Sequence, residues 1–306
     1  MVAYSTPAPA AKRERRGRRR TEQLRMRHIE KPAAPDDAHA ARMDDFTSSP
    51  FYAALEHALA RRGMKPENLL CDLGDAVELR LLAEYGAMFL AVETVRVPSR
   101  CVFESEAEVA RFQAEAEPCA AIVGDSRVEL QRAPLEALLA ARDEACADGL
   151  EIRPRGGEEA ARRSYEDTLR LWDSRVQPAL DYWVAQNSLT PDEAERLRTL
   201  APTEQIAAVL EEERRGNFFS KDFSRSILSS VAAPGASQHL SMLAFDVKEF
   251  REARVREILA RHGWFQTVRY DLPHFTFLGV REKELRALGL RRVEEHGQAF
   301  WIPNVD

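Results

Sequence analysis

The stretch from Pro234 to Val247, PGASQHLSMLAFDV, constrains this chain more than any other part of its sequence. It contains His239 and Asp246, and a second histidine, His274, follows in DLPHFTFLG. Two imidazoles and one carboxylate form the three-ligand set of a catalytic zinc site, which keeps its fourth position open. A fold that uses all three residues must bring two separate segments of the chain together.

The spacing between His239 and Asp246 suits a loop that supplies the first residue and a strand that supplies the second. In LSMLAFDV, the residues Met242, Ala244 and Asp246 share one parity, which predicts that they lie on one face of a strand. A carboxylate on a half-buried face costs several kcal/mol unless it is paired or bound to a metal. Taken alone, the spacing also fits a satisfied histidine and a turn aspartate.

The second segment predicts a strand in which His274 and Thr276 lie opposite the aromatic face of Phe275 and Phe277. Asp271 precedes this histidine by three residues. An acid beside a zinc ligand can accept a proton from the attacking water and pass it to the leaving amine. The alternative is a turn aspartate before Leu-Pro.

Hydrophobic spacing and capping signals predict the secondary structure elements. Helices are predicted at about 51–62, 75–86, 106–116, 134–148, 158–186, 190–215, 249–262 and 281–288. Strands are predicted at 88–97, 122–130, 150–153, 264–270, 275–280, 291–295 and 298–302. Strands concentrate late in the chain without regular βαβ alternation, so the predicted fold class is α+β with a mainly antiparallel sheet flanked by helices.

Composition divides the chain and limits its partners. Residues 1–46 are rich in Ala, Pro, Arg and Asp and are predicted to be disordered, whereas 47–130 form an N-terminal α/β segment of unknown role. The net charge of −6 argues against nucleic-acid binding by the body of the protein. The basic run at 12–20 is predicted to be a solvated tail, with an RNA-binding arm as the alternative.

Targeting signals and cysteines add little. No apolar region follows the basic run, so no signal peptide is recognised, which leaves a cytoplasmic location, an unusual export route or a misplaced start codon open. No apolar run approaches the roughly 18 residues of a membrane span. The cysteines at 71, 101, 119 and 146 form no CxxC pair and lie outside the histidine and aspartate region. They are interpreted as structural thiols, with one or two disulfides left open.

The set S-Q-H-x6-D followed by D-x-P-H-F-x-F-L-G resembles the zinc D-alanyl-D-alanine carboxypeptidases and dipeptidases of the vancomycin-resistance (VanY-like) type. That family shows S-x-H-x6-D and then E-x-W-H-F-x-Y-x-G, preceded by a helix, a strand and R-S-Y-x-x-Q. Here the predicted helix 134–148 and strand 150–153 precede Arg163-Ser164-Tyr165. The resemblance covers about 133–280, which implies a carboxypeptidase-like domain at 131–306 with a helical insertion at about 180–225.

The resemblance implies a role for each matched residue. The implied zinc ligands are His239, Asp246 and His274. Asp271 stands at the position of the general base glutamate. Arg163 stands at the position of the arginine that contacts the substrate and steadies its polarised carbonyl, with Arg225 as a second candidate for that charge. Ser237 stands near the bound peptide. The implied substrate is a peptidoglycan stem peptide containing D-alanine, and the implied location is the periplasm or cell wall.

Three positions depart from the family pattern. Asp271 is one methylene shorter than glutamate, and a base displaced by about 1 Å can lose on the order of 100-fold in rate. Met242 replaces a glycine, which is expected to narrow the space near the metal, and Thr168 replaces the motif glutamine. They motivate an alternative, a non-catalytic wall-peptide or metal-binding module. A further alternative is a cytosolic interaction protein with structural histidines and a basic tail that contacts nucleic acid.

Overall fold

The computed structural model describes residues 45–65, 69 and 71–306. The predicted disordered tail therefore lies outside the described residues, apart from its last two positions. At those positions order begins earlier than the sequence indicates, because Phe46 is buried and its ring contacts Phe51 and Tyr52 edge-on.

Helices form at seven of the eight predicted positions, but the helix predicted at 158–186 begins only at Tyr165, and the helix predicted at 190–215 is divided into Pro191–Thr199 and Pro202–Arg214. Ser49, Asp75, Ser105 and Ser164 each accept a backbone N–H at the N-terminus of a helix. The helices are α1 (Pro50–Arg61), α2 (Ala76–Tyr85), α3 (Glu106–Glu115), α4 (Arg132–Ala147), α5 (Tyr165–Ala185), α6 (Pro191–Thr199), α7 (Pro202–Arg214) and α8 (Ala253–Arg261).

The strands form small antiparallel sheets, so the α+β class with antiparallel pairing is confirmed. The central sheet has the order β3-β5-β4. A hairpin of β1 and β2 and a second hairpin of β6 and β7 complete the described sheets. The strands are β1 (Cys119–Val123), β2 (Ser126–Leu130), β3 (Ala244–Asp246), β4 (Trp264–Phe265), β5 (His274–Phe277), β6 (Leu290–Glu295) and β7 (Gln298–Pro303).

The strand predicted at 88–97 is wrong. A fully buried 3₁₀ helix, Gly86–Leu90, occupies its first part. The carbonyl groups of Ala91, Val92 and Val95 accept hydrogen bonds from the Arg62 guanidinium rather than from a neighbouring strand. A short apolar run that is buried on all sides has no periodicity to distinguish a strand from another buried segment.

Other predicted elements are shorter than expected or differ in type. The strand predicted at 150–153 is wrong, because the Arg153 N–H is bound by the Glu249 carboxylate and only an isolated bridge, Pro154 to Val247, forms nearby. The strand predicted at 264–270 retains only Trp264–Phe265. The predicted helix at 281–288 is a single 3₁₀ turn, Glu282–Glu284. The predicted strand at 122–130 is the β1–β2 hairpin, which turns at Gly124.

One hydrophobic core contains residues from both sides of position 130. Phe51 and Phe89 belong to the same buried cluster as Phe245 and Phe275. A second cluster joins α5, α6 and α7 to Leu81 and Tyr85 of α2. The predicted N-terminal segment therefore packs against the strands that carry the candidate ligands.

Gly235 fixes the loop that leads to His239. Its φ of +79° lies in the left-handed region, and its carbonyl accepts the Phe103 N–H at 3.0 Å. A Cβ at this position would lie 1.9 Å from the Phe103 carbonyl oxygen. Glycine is therefore required both by the backbone angle and by the close approach of a second backbone.

Glu213, near the end of α7, organises the segment that follows. Its buried carboxylate accepts the backbone N–H groups of Phe219 and Ile227 through the same oxygen. Burial raises the pKa of this carboxyl group, although these hydrogen bonds oppose the shift. An acid stands at a buried position because two backbone donors there need an acceptor.

Cys71 and Cys101 form a disulfide, which settles the open alternative for these two residues. Cys119 and Cys146 are free thiols. The disulfide joins the segment before α2 to the segment before α3 and closes a loop with a sequence separation of 30. Among the described residues, no helix has the length and apolarity needed to cross a membrane.

Substitution Gly235→Ala is expected to destabilise the protein by several kcal/mol, because it adds a steric clash to the cost of a positive φ. Gly149→Ala is the matched control: Gly149 has a φ of +71° and nothing within 4 Å of the added Cβ. We expect the control to lose only about 1 kcal/mol. Equal losses in urea unfolding of the two variants would contradict the role assigned to the Phe103 contact.

The difference in unfolding free energy between Glu213→Gln and the parent is expected to shift in favour of the variant as the pH rises from 4 to 7. A folded-state pKa above the unfolded value means that the native protein binds this proton more tightly. Unfolding free energy is therefore lost as the pH rises through that window. Glutamine keeps an acceptor oxygen and carries no charge, so its advantage over the parent should grow with pH. Glu204→Gln, an exposed change on the same helix, controls for the loss of one charge. A pH-independent difference for Glu213→Gln would refute the prediction.

Candidate metal centre

The antiparallel register of the central sheet places Asp246 directly opposite His274. Side chains of paired residues lie on the same face with their Cβ atoms about 4.5–5.5 Å apart. His239 approaches from the 3₁₀ helix Gln238–Ser241, immediately before β3. The structure thus brings together the three residues singled out in the sequence.

The candidate ligand atoms form a nearly equilateral triangle. His239 Nε2 lies 3.2 Å from His274 Nδ1, and each of these nitrogens lies 3.3 Å from Asp246 Oδ1. The imidazoles are buried, with 1% and 4% of their residue surfaces exposed. This group could hold a metal ion.

The remaining ring nitrogens determine which tautomer each histidine adopts. His239 Nδ1 lies 2.8 Å from the Ala161 carbonyl oxygen, so this nitrogen donates its proton and Nε2 carries a lone pair. His274 Nε2 lies 2.8 Å from Gln238 Oε1, so this nitrogen donates and Nδ1 carries a lone pair. In both rings, the lone pair points toward the centre of the triangle.

The orientation of the Gln238 amide is fixed independently. Its Nε2 donates to the Tyr85 carbonyl at 2.7 Å, which leaves Oε1 as the acceptor. That oxygen also accepts the Thr276 hydroxyl, which in turn contacts the Thr267 hydroxyl. His274 and Thr276 therefore lie on the same face of β5, as predicted. Such outer hydrogen bonds orient metal-binding imidazoles.

With both imidazoles in their neutral forms, three acceptors face one another with no proton between them. Burial weakens the screening by water, so this arrangement is unfavourable without a cation. A bound cation would turn three repulsive contacts into three favourable ones. The donor set of the site fits a metal better than it fits a hydrogen-bonded histidine pair.

Burial and neighbouring charges set the protonation states of His239 and Asp246. Burial together with the nearby Arg163 charge lowers the pKa of His239 to about 4. Burial alone would raise the pKa of Asp246, but interactions with His239, His274 and Arg163 outweigh it and hold that pKa well below its usual range. At neutral pH the imidazole of His239 is therefore neutral and the carboxylate of Asp246 is ionised.

Arg163 lies behind the carboxylate. Its Nη2 donates to Asp246 Oδ2 at 2.6 Å, and its Nε donates to the Glu159 carbonyl at 2.9 Å. The carboxylate thus uses one oxygen toward the histidines and the other toward the guanidinium. In this structure Arg163 orients a candidate ligand, a role that the sequence does not reveal. Its predicted contact with a substrate stays a prediction.

A cavity of about 170 Å³ opens onto the three candidate ligands. Ser237, Arg163 and Asp271 also line it. Burial raises the pKa of Asp271 to about 6, against the lowering influence of His274. The predicted base and the predicted peptide-contacting serine therefore share one cavity with the metal-binding group.

The expectation that Met242 narrows the space near the metal is wrong. Met242 has a φ of 56° and packs into the hydrophobic core, and it is not among the residues that line this cavity. A glycine at this position would satisfy the left-handed backbone without strain. The predicted shared strand face also fails for Met242, because β3 begins only at Ala244.

Two other positions singled out in the sequence lie away from the ligands. The Thr168 hydroxyl donates to the Tyr165 carbonyl and accepts the Gly235 N–H, so it supports the loop before His239. Arg225 lies over the Tyr270 ring at 5.2 Å and does not line the cavity. The second candidate for the substrate-binding charge is therefore not at the site.

No protein-family model matches the chain, and a search of curated proteins also finds no match.

Sequence reasoning missed the groups that orient the ligands. Gln238 was visible between Ser237 and His239, but its role depends on the Tyr85 carbonyl, which comes from a distant helix. The Ala161 carbonyl carries no side-chain signal at all. The one signal in the sequence that could have identified Gln238 is its polar side chain within a buried segment.

Substitution Gln238→Leu is expected to weaken divalent metal binding by about 10- to 100-fold, because the His274 tautomer loses its acceptor. Gln205→Leu is the matched control, since Gln205 is a buried glutamine whose partners are Trp172 and Leu197 in the helical cluster. Metal affinity measured by competition with a chelating dye should fall in the first variant alone. Equal affinities in both variants would contradict the role of Gln238.

Proposed function

We propose that the protein is a zinc-dependent peptidase that hydrolyses peptide bonds near D-alanine in peptidoglycan peptides. The observation that carries the proposal is the size of the ligand triangle. With bonds of about 2.0–2.1 Å, a tetrahedral zinc ion holds its nitrogen and oxygen ligands about 3.3–3.4 Å apart. The three separations in the structure are 3.2, 3.3 and 3.3 Å.

The motif resemblance to VanY-like carboxypeptidases supports the choice of reaction. His239, Asp246 and His274 would hold the zinc ion. When bound, zinc would supply an acidified water and a polarised carbonyl. Asp271 would take up the proton of the attacking water and deliver it to the leaving amine, a task for which a pKa of about 6 is suitable. Arg163 holds Asp246 in its ligand orientation.

The size of the cavity limits the substrate. Pockets for drug-sized ligands occupy about 300–1,000 Å³, whereas this one has about 170 Å³. Only a small part of a peptide fits, such as one or two small residues. This favours cleavage near a chain end over cleavage within a long segment.

The disulfide bears on the location. Stable disulfides form in oxidising compartments outside the cytoplasm, and Cys71 with Cys101 forms one here. This favours the wall-facing location implied by the resemblance.

A second candidate is a metal-binding wall-peptide module without turnover. The shorter side chain of Asp271 favours it, because a base out of reach by about 1 Å loses on the order of 100-fold in rate. The two functions share the metal centre and differ in what Asp271 does.

Purified protein is expected to contain one zinc ion per chain, and His239→Ala should lose it because one of three ligands is gone. The measurement is metal analysis by mass spectrometry after dialysis. Arg196→Ala, an exposed change on α6, is the control. Zinc retained at full stoichiometry by the His239 variant would remove the basis of the proposal.

The Asp271→Asn variant should keep the zinc ion. It should release D-alanine from a peptide ending in D-Ala-D-Ala at least about 100-fold more slowly, since general acid–base catalysis contributes about 10²–10⁴-fold. Asp271→Glu should retain turnover, because glutamate is the family residue. A parent protein that binds zinc and peptide but releases no D-alanine would favour the non-catalytic module.

A further inference from the structure

A second arginine lines the cavity beside the metal-binding group. Arg175 lies on α5, on the turn of the helix after Leu171, and both residues form part of the cavity wall. No family motif covers this position. Its presence at the site follows only from the fold.

Among the residues that the structure describes, none forms an ion pair with the Arg175 guanidinium. Its Nη1 donates to the neighbouring Ser174, to the hydroxyl at 2.8 Å and to the carbonyl at 3.5 Å. Its Nε is buried and has no hydrogen-bond partner within the part of the chain that the structure describes. Buried donors in native proteins are almost always paired, so the hydrogen-bonding capacity of this guanidinium is only partly used within the protein.

The other arginine of the cavity is already engaged. Arg163 donates to Asp246 and to the Glu159 carbonyl, so its charge is compensated by a candidate metal ligand. Asp246 and Asp271 are the carboxylates that line this cavity, and with a divalent metal ion bound their charge would be outweighed by the two arginines and the ion. An anionic group on the ligand would restore the balance.

Apolar side chains line the same cavity and indicate which group of the ligand lies beside the anion. Leu228, Val231, Ala232 and Val268 line the same cavity. Apolar walls exclude water, which strengthens an ion pair formed between them. They also leave room only for small aliphatic groups, given a volume of about 170 Å³.

We infer that Arg175 binds a carboxylate of the substrate, next to a small aliphatic group, and so selects peptides that carry a negative charge close to the scissile bond. This inference rests on the proposed function and adds to it a specificity-determining residue. The carboxylate could come from the free C-terminus of the peptide or from an acidic side chain. The chemistry that Arg175 recognises is the same in both cases.

Calorimetric binding tests the inference in zinc-loaded Asp271→Asn protein, which is expected to keep the metal without hydrolysing the probes and serves as the parent for the Arg175 variants. The probes are an N-acetylated peptide ending in D-Ala-D-Ala with a free carboxylate, the same peptide as its C-terminal amide, and an amidated peptide with glutamate as its last residue. Arg175→Gln should weaken binding of the free-carboxylate peptide by about 10- to 100-fold, the scale of a charge-assisted hydrogen bond. Arg175→Lys should lose less, because it keeps the charge.

Matched measurements separate specificity from damage to the fold. Zinc content should be unchanged in Arg175→Gln, and the amide peptide should bind it as weakly as it binds the parent. Arg196→Gln removes an exposed arginine from α6 and should change nothing. A loss confined to the glutamate peptide would assign the carboxylate to a side chain rather than to the C-terminus.

Three results would overturn the inference: no loss of binding in Arg175→Gln for either the free-carboxylate peptide or the glutamate peptide, equal binding by the parent of the uncharged amide and of both charged peptides, or no peptide binding by the parent. Failure of the proposed function is recognised separately, by missing zinc or by absent D-alanine release. Carboxylate-dependent binding without release would keep the role of Arg175 and point to the non-catalytic module.

Discussion

The site depends on one electrostatic constraint: three lone pairs, from His239, His274 and Asp246, point at a common centre. Each of these side chains is oriented by a hydrogen bond on the side away from the centre, which keeps its lone pair directed at the other two. The Ala161 carbonyl holds the first imidazole, the Gln238 amide oxygen the second, and the Arg163 guanidinium the carboxylate. The protein has used other hydrogen bonds to maintain a repulsive arrangement, which is expected of a preorganised cation site.

The fold serves this constraint by simple means. Cross-strand pairing of β3 with β5 places Asp246 opposite His274. The close backbone contact at Gly235 determines where the chain enters the 3₁₀ helix that carries His239. The ligand set therefore rests on short strands and one tight turn, and the helices contribute the surrounding walls and the second layer of hydrogen bonds.

The sequence was sufficient where the signal is local or periodic. The helix predicted at 106–116 is found at Glu106–Glu115, and the parity of His274 and Thr276 placed them on one strand face. The sequence was insufficient where contacts between distant residues determine the local structure. The segment at 88–97 could not be interpreted without knowing that Arg62 binds its carbonyls. The roles of Gln238 and Arg175 depend on which distant groups surround them.

The contact between Gln238 and the Tyr85 carbonyl makes the candidate site depend on a distant part of the chain. The residue that sets the tautomer of one candidate ligand is itself oriented by the N-terminal segment, which the motif resemblance does not cover. A fragment that begins after residue 130 would retain His239, Asp246 and His274 but lose the carbonyl that orients Gln238. The three candidate ligands alone therefore do not define the site.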